Sequence, residues 1–98
     1  MFKDKYYHDD LENLSEEIVF EQIHEVISEG EVVFNQSDVT IQDIAAIALN
    51  NMPAKYVCNF FEKQNPGPNL LEEVKDLRKY ARRQVLKAIK KVNENPHD

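Results

Sequence analysis

The sequence predicts a mainly α fold: a compact helical domain with two long helices, a short central helix and one short segment, 56–61, that is either a strand or a helical continuation. Three observations lead there. Leu70, Val74, Leu77, Ala81, Val85, Ala88 and Val92 alternate steps of four and three, the single-stripe pattern of an amphipathic helix. Leu11, Leu14, Ile18, Val19, Phe20, Ile23, Val26 and Ile27 recur at helical spacing but cover about 240° of the helix circumference, more than one face needs. Between these stretches, residues 41–56 (IQDIAAIALNNMPAKY) join an alanine-rich apolar run to a proline stop. A chain of 98 residues with one cysteine has a modest core and no disulfide to support it. Together with the wide apolar surface of the first helix, this predicts one domain over 1–98, assembled as a homodimer.

Residues 1–9 (MFKDKYYHD) lack helical periodicity and predict a loosely ordered arm, whose Phe2, Tyr6 and Tyr7 are suited to docking on a partner. Asp10 is the expected N-cap of a first helix reaching Glu29, with Gly30 ending it in left-handed geometry. On that wheel Glu16 falls between Ile23 and Ile27, so an enclosed carboxylate needing a cation, an amide or a ligand is expected. Residues 30–40 form a connector, either a short strand or a pinned loop at Val32-Val33-Phe34. Thr40 and Asp43 have capping-box spacing and predict the start of the central helix. Pro53 disfavours helical geometry at Met52, which ends that helix near Asn50 or Asn51, with Asn50 bonding backbone near the turn.

Tyr56-Val57-Cys58-Asn59-Phe60-Phe61 is rich in strand formers, and an isolated strand needs a partner, such as its own copy. Val57, Phe60 and Phe61 also fit helical spacing. Asn65-Pro66-Gly67-Pro68 is a break, after which Asn69 and Glu72 offer a cap for a last helix running to about Asn93, followed by a polar tail over 94–98. The face opposite its apolar stripe carries Lys75, Arg78, Lys79, Arg82, Arg83, Lys87, Lys90 and Lys91.

Charge is polarised along the chain. Residues 1–50 hold twelve acids and two bases (−10), and residues 51–98 hold six acids and ten bases (+4). Either the halves attract each other, within a protomer or across a dimer, or the C-terminal half presents an anion-binding surface. A pI near 5.0 argues against nucleic acid. The lone Cys58, with no export signal and no membrane-spanning apolar run, predicts a cytoplasmic protein. Cys58 has no neighbouring histidine, and His8, His24 and His97 lack metal-ligand spacing. With no nucleotide-binding or hydrolase motif present, neither an enzyme nor a metal cofactor is expected. Arg78, Arg82 and Arg83 can grip phosphate with two N–H groups and stack on a purine, as lysine cannot do so well, and cyclic dinucleotides present both groups.

Two motifs add a family. Asp43-Ile44-x-Ala46-x-Ala48-Leu49-Asn50-x-x-Pro53-x-x-Tyr56 resembles the central signature of the late-competence ComFB family, and Asn13-x-x-Glu16-x-x-Val19 matches its first-helix pattern. Members with cysteines before the central motif look like metal binders. Here Val32-Val33-Phe34-Asn35 stands in that place and Ala54 replaces a frequent second proline, so zinc is not expected. The resemblance implies a helical cytoplasmic homodimer and a receptor for a cyclic dinucleotide, cyclic di-GMP favoured. The residues expected to hold it are Arg78, Arg82 and Arg83, with Lys55 adding charge, Tyr56 a ring face and Glu16 an acceptor for a guanine edge. Asn13, Thr40, Asp43, Asn50 and Pro53 are expected to be structural. The competing reading is a constitutive protein-interaction module, with no small ligand, using Phe60-Phe61 or the aromatic arm.

Overall fold

The computed structural model describes residue 3, residues 11–58 and residues 67–95. In chain order these form β1 (Leu11–Asn13), α1 (Leu14–Glu29), α2 (Asp38–Asn50), β2 (Tyr56–Cys58) and α3 (Pro68–Glu94). The fold is mainly helical, as the apolar periodicity predicts. The three helices pack on one another, each touching the other two, and β1 and β2 pair as a small antiparallel ribbon at one end. Most of the expected arm at 1–9, the stretch 59–61 and most of the polar tail lie outside the described residues.

One core runs through the three helices and β2. Leu14, Ile18, Val19, Ile23 and Val26 of α1 meet Ile44, Ala45 and Ala48 of α2 and Ala81, Val85, Ala88, Ile89 and Val92 of α3, with Phe34 and Val57 closing the edges. Fully burying a valine or isoleucine contributes about 1.5–3 kcal/mol, so these positions dominate the stabilising side. The alanines of α2 and α3 let backbones approach closely. Leu70, Val74 and Leu77 are only partly buried, so α3 is fully inserted along its second half alone. Packing on both α2 and α3 accounts for the wide apolar surface of α1, although Phe20 remains 42% exposed.

The helix starts differ from those expected. Leu11-Glu12-Asn13 is extended and pairs with β2 in the register Leu11↔Cys58, Glu12↔Val57, Asn13↔Tyr56. The first helix therefore begins at Leu14, with Asn13 and not Asp10 as its N-cap. Tyr56–Cys58 is extended, the first of the two expected alternatives, and its partner strand comes from the same chain and not from a second copy. In α2 the N-cap is Ser37 and not Thr40. Ser37 Oγ accepts from the Thr40 amide at 3.2 Å and donates to Thr40 Oγ1 at 3.0 Å. A capping pair one position-set earlier thus starts the helix before Asp43 can, and Asp43 falls in the second turn.

At the other end of α2, Asn51 and not Asn50 makes the turn contact: its side-chain amide donates to the Ile47 carbonyl at 2.8 Å. For α3, Gly67 is the N-cap and Pro68 the first helical residue, displacing Asn69 from the cap, because proline's fixed φ and missing N–H suit that position. Gly30 ends α1 at φ 69°, as expected. The 30–37 connector is a loop pinned by buried Phe34, while Val33 points out and its carbonyl accepts from Asn93 at 3.0 Å.

A polar clamp joins the ribbon to α1. Asn13 Oδ1 accepts from the Ser15 amide at 3.1 Å and from the Lys55 amide at 3.0 Å. The Leu14 amide donates to the Lys55 carbonyl at 2.7 Å, and Ser15 Oγ donates to the Pro53 carbonyl at 2.6 Å. Asn13→Ala removes a cap and leaves a part-buried amide without its acceptor, so it should cost about 2 kcal/mol, against about 1 kcal/mol for Ser37→Ala, in urea unfolding. Equal losses would show that Asn13 acts as an ordinary cap and not as a clamp. Nothing lies within 4 Å of a Cβ built on Gly30, so Gly30→Ala should cost only the backbone penalty, about 1 kcal/mol by the same measurement.

Candidate functional site: the groove between α1 and α3

The long last helix presents two flanks. Arg78 and Arg82, one turn apart, lie on the flank beside α1, with Lys79 and Arg83 further out. These four cations, with Gln22 and Leu86, line an open groove of about 620 Å³. Leu86 adds a partly exposed apolar side chain to the lining, and Gln22 is a buried amide set within the apolar face of α1.

Facing the arginines, α1 carries Glu21, Glu25 and Glu29 at steps of four, a row along one side of the helix. Arg78 Nε donates to Glu21 Oε1 at 2.9 Å. Arg82 donates through Nη2 to Glu29 and brings Nη1 to 4.0 Å from Glu25. The hydrogen bond that Arg82 donates to Glu29 is the main influence raising Arg82 above its ordinary pKa; desolvation opposes it, and the charges of Glu29, Glu25 and Glu31 add to it. Arg82 thus stays charged throughout the usable pH range. Arg83 takes another course, its guanidinium carbon standing 5.7 Å from the centre of the Tyr80 ring.

The polarised charge of the sequence is accordingly met inside the chain, acidic α1 against basic α3. All these pairs are exposed to solvent, where ion pairs contribute little to stability and exchange readily.

The remaining expected ligand residues lie elsewhere. Lys55 pairs with Glu73 and lines a separate depression of about 520 Å³ with Pro53, Ala54, Asp76, Leu77 and Tyr80. Tyr56 is 59% exposed on β2. Glu16 is exposed and not enclosed, in a shallow dip of about 250 Å³ with Leu11, Glu12, Asn13 and Glu17. Because α1 starts at Leu14, Glu16 sits in its first turn, where a carboxylate is favoured by the helix dipole and requires no enclosed cation.

The structure therefore gathers Arg78, Arg82 and Arg83, leaves Lys55 and Glu16 in other depressions and leaves Tyr56 exposed on β2. It adds Lys79, Gln22 and Leu86. Lys79 was legible as part of the basic face, and Gln22 as a polar residue within an apolar run; Leu86 carried no signal beyond its spacing. Among the described residues, no group of three His, Cys, Asp or Glu side chains could hold a metal ion, and no helix is long and apolar enough to cross a membrane.

No curated protein matches the chain. A family model described as "Late competence development protein ComFB" matches residues 12–96. That span holds both signature stretches, and the clamp joins them in space, Asn13 and Ser15 from the first to Pro53 and Lys55 from the second. Matched over nearly its whole length, the chain belongs to the ComFB family.

Proposed function

We propose that this protein is a non-enzymatic, cytoplasmic receptor that works as a homodimer and binds a cyclic dinucleotide, cyclic di-GMP by preference, in the groove between α1 and α3. The observation that carries this reading is the convergence of Arg78, Lys79, Arg82 and Arg83 on one groove, whose lining also holds Gln22 and Leu86. Guanidinium groups grip phosphate through paired N–H donors, and their flat faces stack on bases. Arg83 is held over Tyr80, which leaves its other face for a base. Guanine is favoured because its O6 and N7 both accept from one arginine, whereas adenine offers a donor in place of O6.

The groove volume is in the range of small-ligand sites. Its lining contains neither a nucleophile nor a base beside one, which supports binding without turnover. It is open on its outer side, so a second copy would help to exclude water from the ligand. Membership of the ComFB family is consistent with this reading.

One observation favours a second reading, a constitutive protein-interaction module. Pro53, Ala54, Leu77 and Tyr80 form an apolar depression suited to a side chain of a protein partner. A partner captured equally well with and without nucleotide would support it.

Calorimetric titration against cyclic di-GMP, cyclic di-AMP and linear dinucleotides tests the receptor. Binding of cyclic di-GMP is expected, and Arg78→Ala or Arg82→Ala should each weaken it about tenfold or more while circular dichroism stays helical. Absence of any cyclic dinucleotide binding by the folded protein at tens of micromolar ligand would overturn the reading. Unchanged affinity in the doubly substituted protein would remove the arginines from the site.

A further inference from the structure

The arginines assigned to the ligand are already engaged. Arg78 spends its Nε donor on Glu21, and Arg82 turns both terminal nitrogens towards carboxylates, Nη2 to Glu29 and Nη1 towards Glu25. A carboxylate and a phosphate edge present the same pair of acceptor oxygens to a guanidinium, so they compete for the same N–H groups. We propose that Glu21, Glu25 and Glu29 are built-in competitors that occupy the phosphate-binding arginines in the free protein and so restrict the groove to ligands carrying two phosphates.

The inference rests on the receptor reading for the natural ligand, but its physical content belongs to the groove itself. The three carboxylates, together with the charge of Glu31 that also acts on Arg82, balance the four cations Arg78, Lys79, Arg82 and Arg83. A single phosphate that displaces Glu29 exchanges one anion for another, and the released carboxylate stays tethered to α1, close enough to repel it. The exchange gains little. Arg78 and Arg82 are one helical turn apart, a rise of about 6 Å, so a ligand with two phosphates can displace both carboxylate contacts in one binding event. Its second displacement is then intramolecular and free of further translational cost. Stacking on Arg83 adds attraction that inorganic anions lack.

Because the ion pairs are solvent-exposed, breaking them costs little, so the carboxylates tune affinity and selectivity without locking the groove. Arg82 hydrogen-bonds to Glu29 and only approaches Glu25, at 4.0 Å. Of the two carboxylates beside Arg82, Glu29 is therefore the one whose removal should matter more.

Glu29→Gln and Glu21→Gln/Glu29→Gln keep the shape and remove the charge. The wild type and both variants are titrated calorimetrically with cyclic di-GMP and, separately, with inorganic phosphate. The double variant should bind both probes about three- to twentyfold more tightly than the wild type, with the larger relative gain for the single phosphate. Adding Arg78→Ala and Arg82→Ala should abolish the gain. If the pairs only staple α1 to α3, the variants would melt earlier and bind no more tightly, which would overturn the proposal. Should the double variant fold poorly, Glu29→Gln alone must show the gain, and equal or weaker binding by that variant is equally fatal. If no protein binds cyclic di-GMP but the variants gain inorganic phosphate, the carboxylate competition stands and the receptor reading falls. If neither probe binds any of the proteins, both fall.

Discussion

One side-chain oxygen sets the geometry on which the candidate site depends. Asn13 Oδ1 accepts from the amide of Ser15, which starts α1, and from the amide of Lys55, which enters β2. These amides come from distant parts of the chain, and each lies where regular structure leaves an N–H without a backbone acceptor. By satisfying both, Asn13 fixes the first residue of α1 to the register of the β1–β2 ribbon, and Ser15 repeats the tie through the Pro53 carbonyl. Fixing where α1 begins also fixes its rotation, because a one-residue shift turns every side chain by about 100°. The row Glu21, Glu25 and Glu29 faces α3 only in the observed phase. The ComFB signature stretches thus meet at the point that sets the phase of the groove, although none of their residues lines it.

The groove separates what holds the protein together from what is free to act. Burial of Val19, Val26, Ile44, Val85 and Ile89 between three helices supplies the cohesion. The charged flank contributes little to it, since all of its pairs are exposed. Charges of low structural value can be rearranged by a ligand without disturbing the core. The half-inserted position of α3 serves the same end. Its second half is anchored by Ala81, Val85, Ala88 and Val92, while its first half, with Leu70, Val74 and Leu77 only partly covered, carries part of the groove on a less buried segment. The groove is rigid where α3 is buried and accessible where it is not.

Tyr80 separates the two larger depressions. It supports Arg83 with its ring and lines the apolar depression beside Pro53 and Lys55. The basic helix therefore offers phosphate chemistry on the side of α1 and an apolar seat on the side of the Pro53 turn. A ligand on the first and a protein on the second would share one rigid helix, so the receptor and interaction-module readings are physically compatible.

Local pattern alone determined a good deal. The four-and-three stripe defines α3, Gly30 marks the end of α1 by its freedom in left-handed geometry, Pro53 ends α2, and the arginines are visible as one basic face, because each is a property of residues a few positions apart. The cap positions were less legible. Ser37 with Thr40 and Thr40 with Asp43 are rival capping pairs of similar local merit, and the position of buried Thr40 in the core favours the earlier one. Asp10 looked like a cap until Leu11–Asn13 paired with a strand more than forty residues on, which no local periodicity reports. Glu16 appeared enclosed because a helical wheel shows direction and not depth, and at the first turn there is little structure above it. The pairing of Arg78 with Glu21 and of Arg82 with Glu29 was decided only by tertiary structure. A charge row on each of two helices indicates attraction, but which carboxylate meets which guanidinium depends on the rotation and offset of α1 against α3, and these are set by the buried core and the Asn13 clamp together.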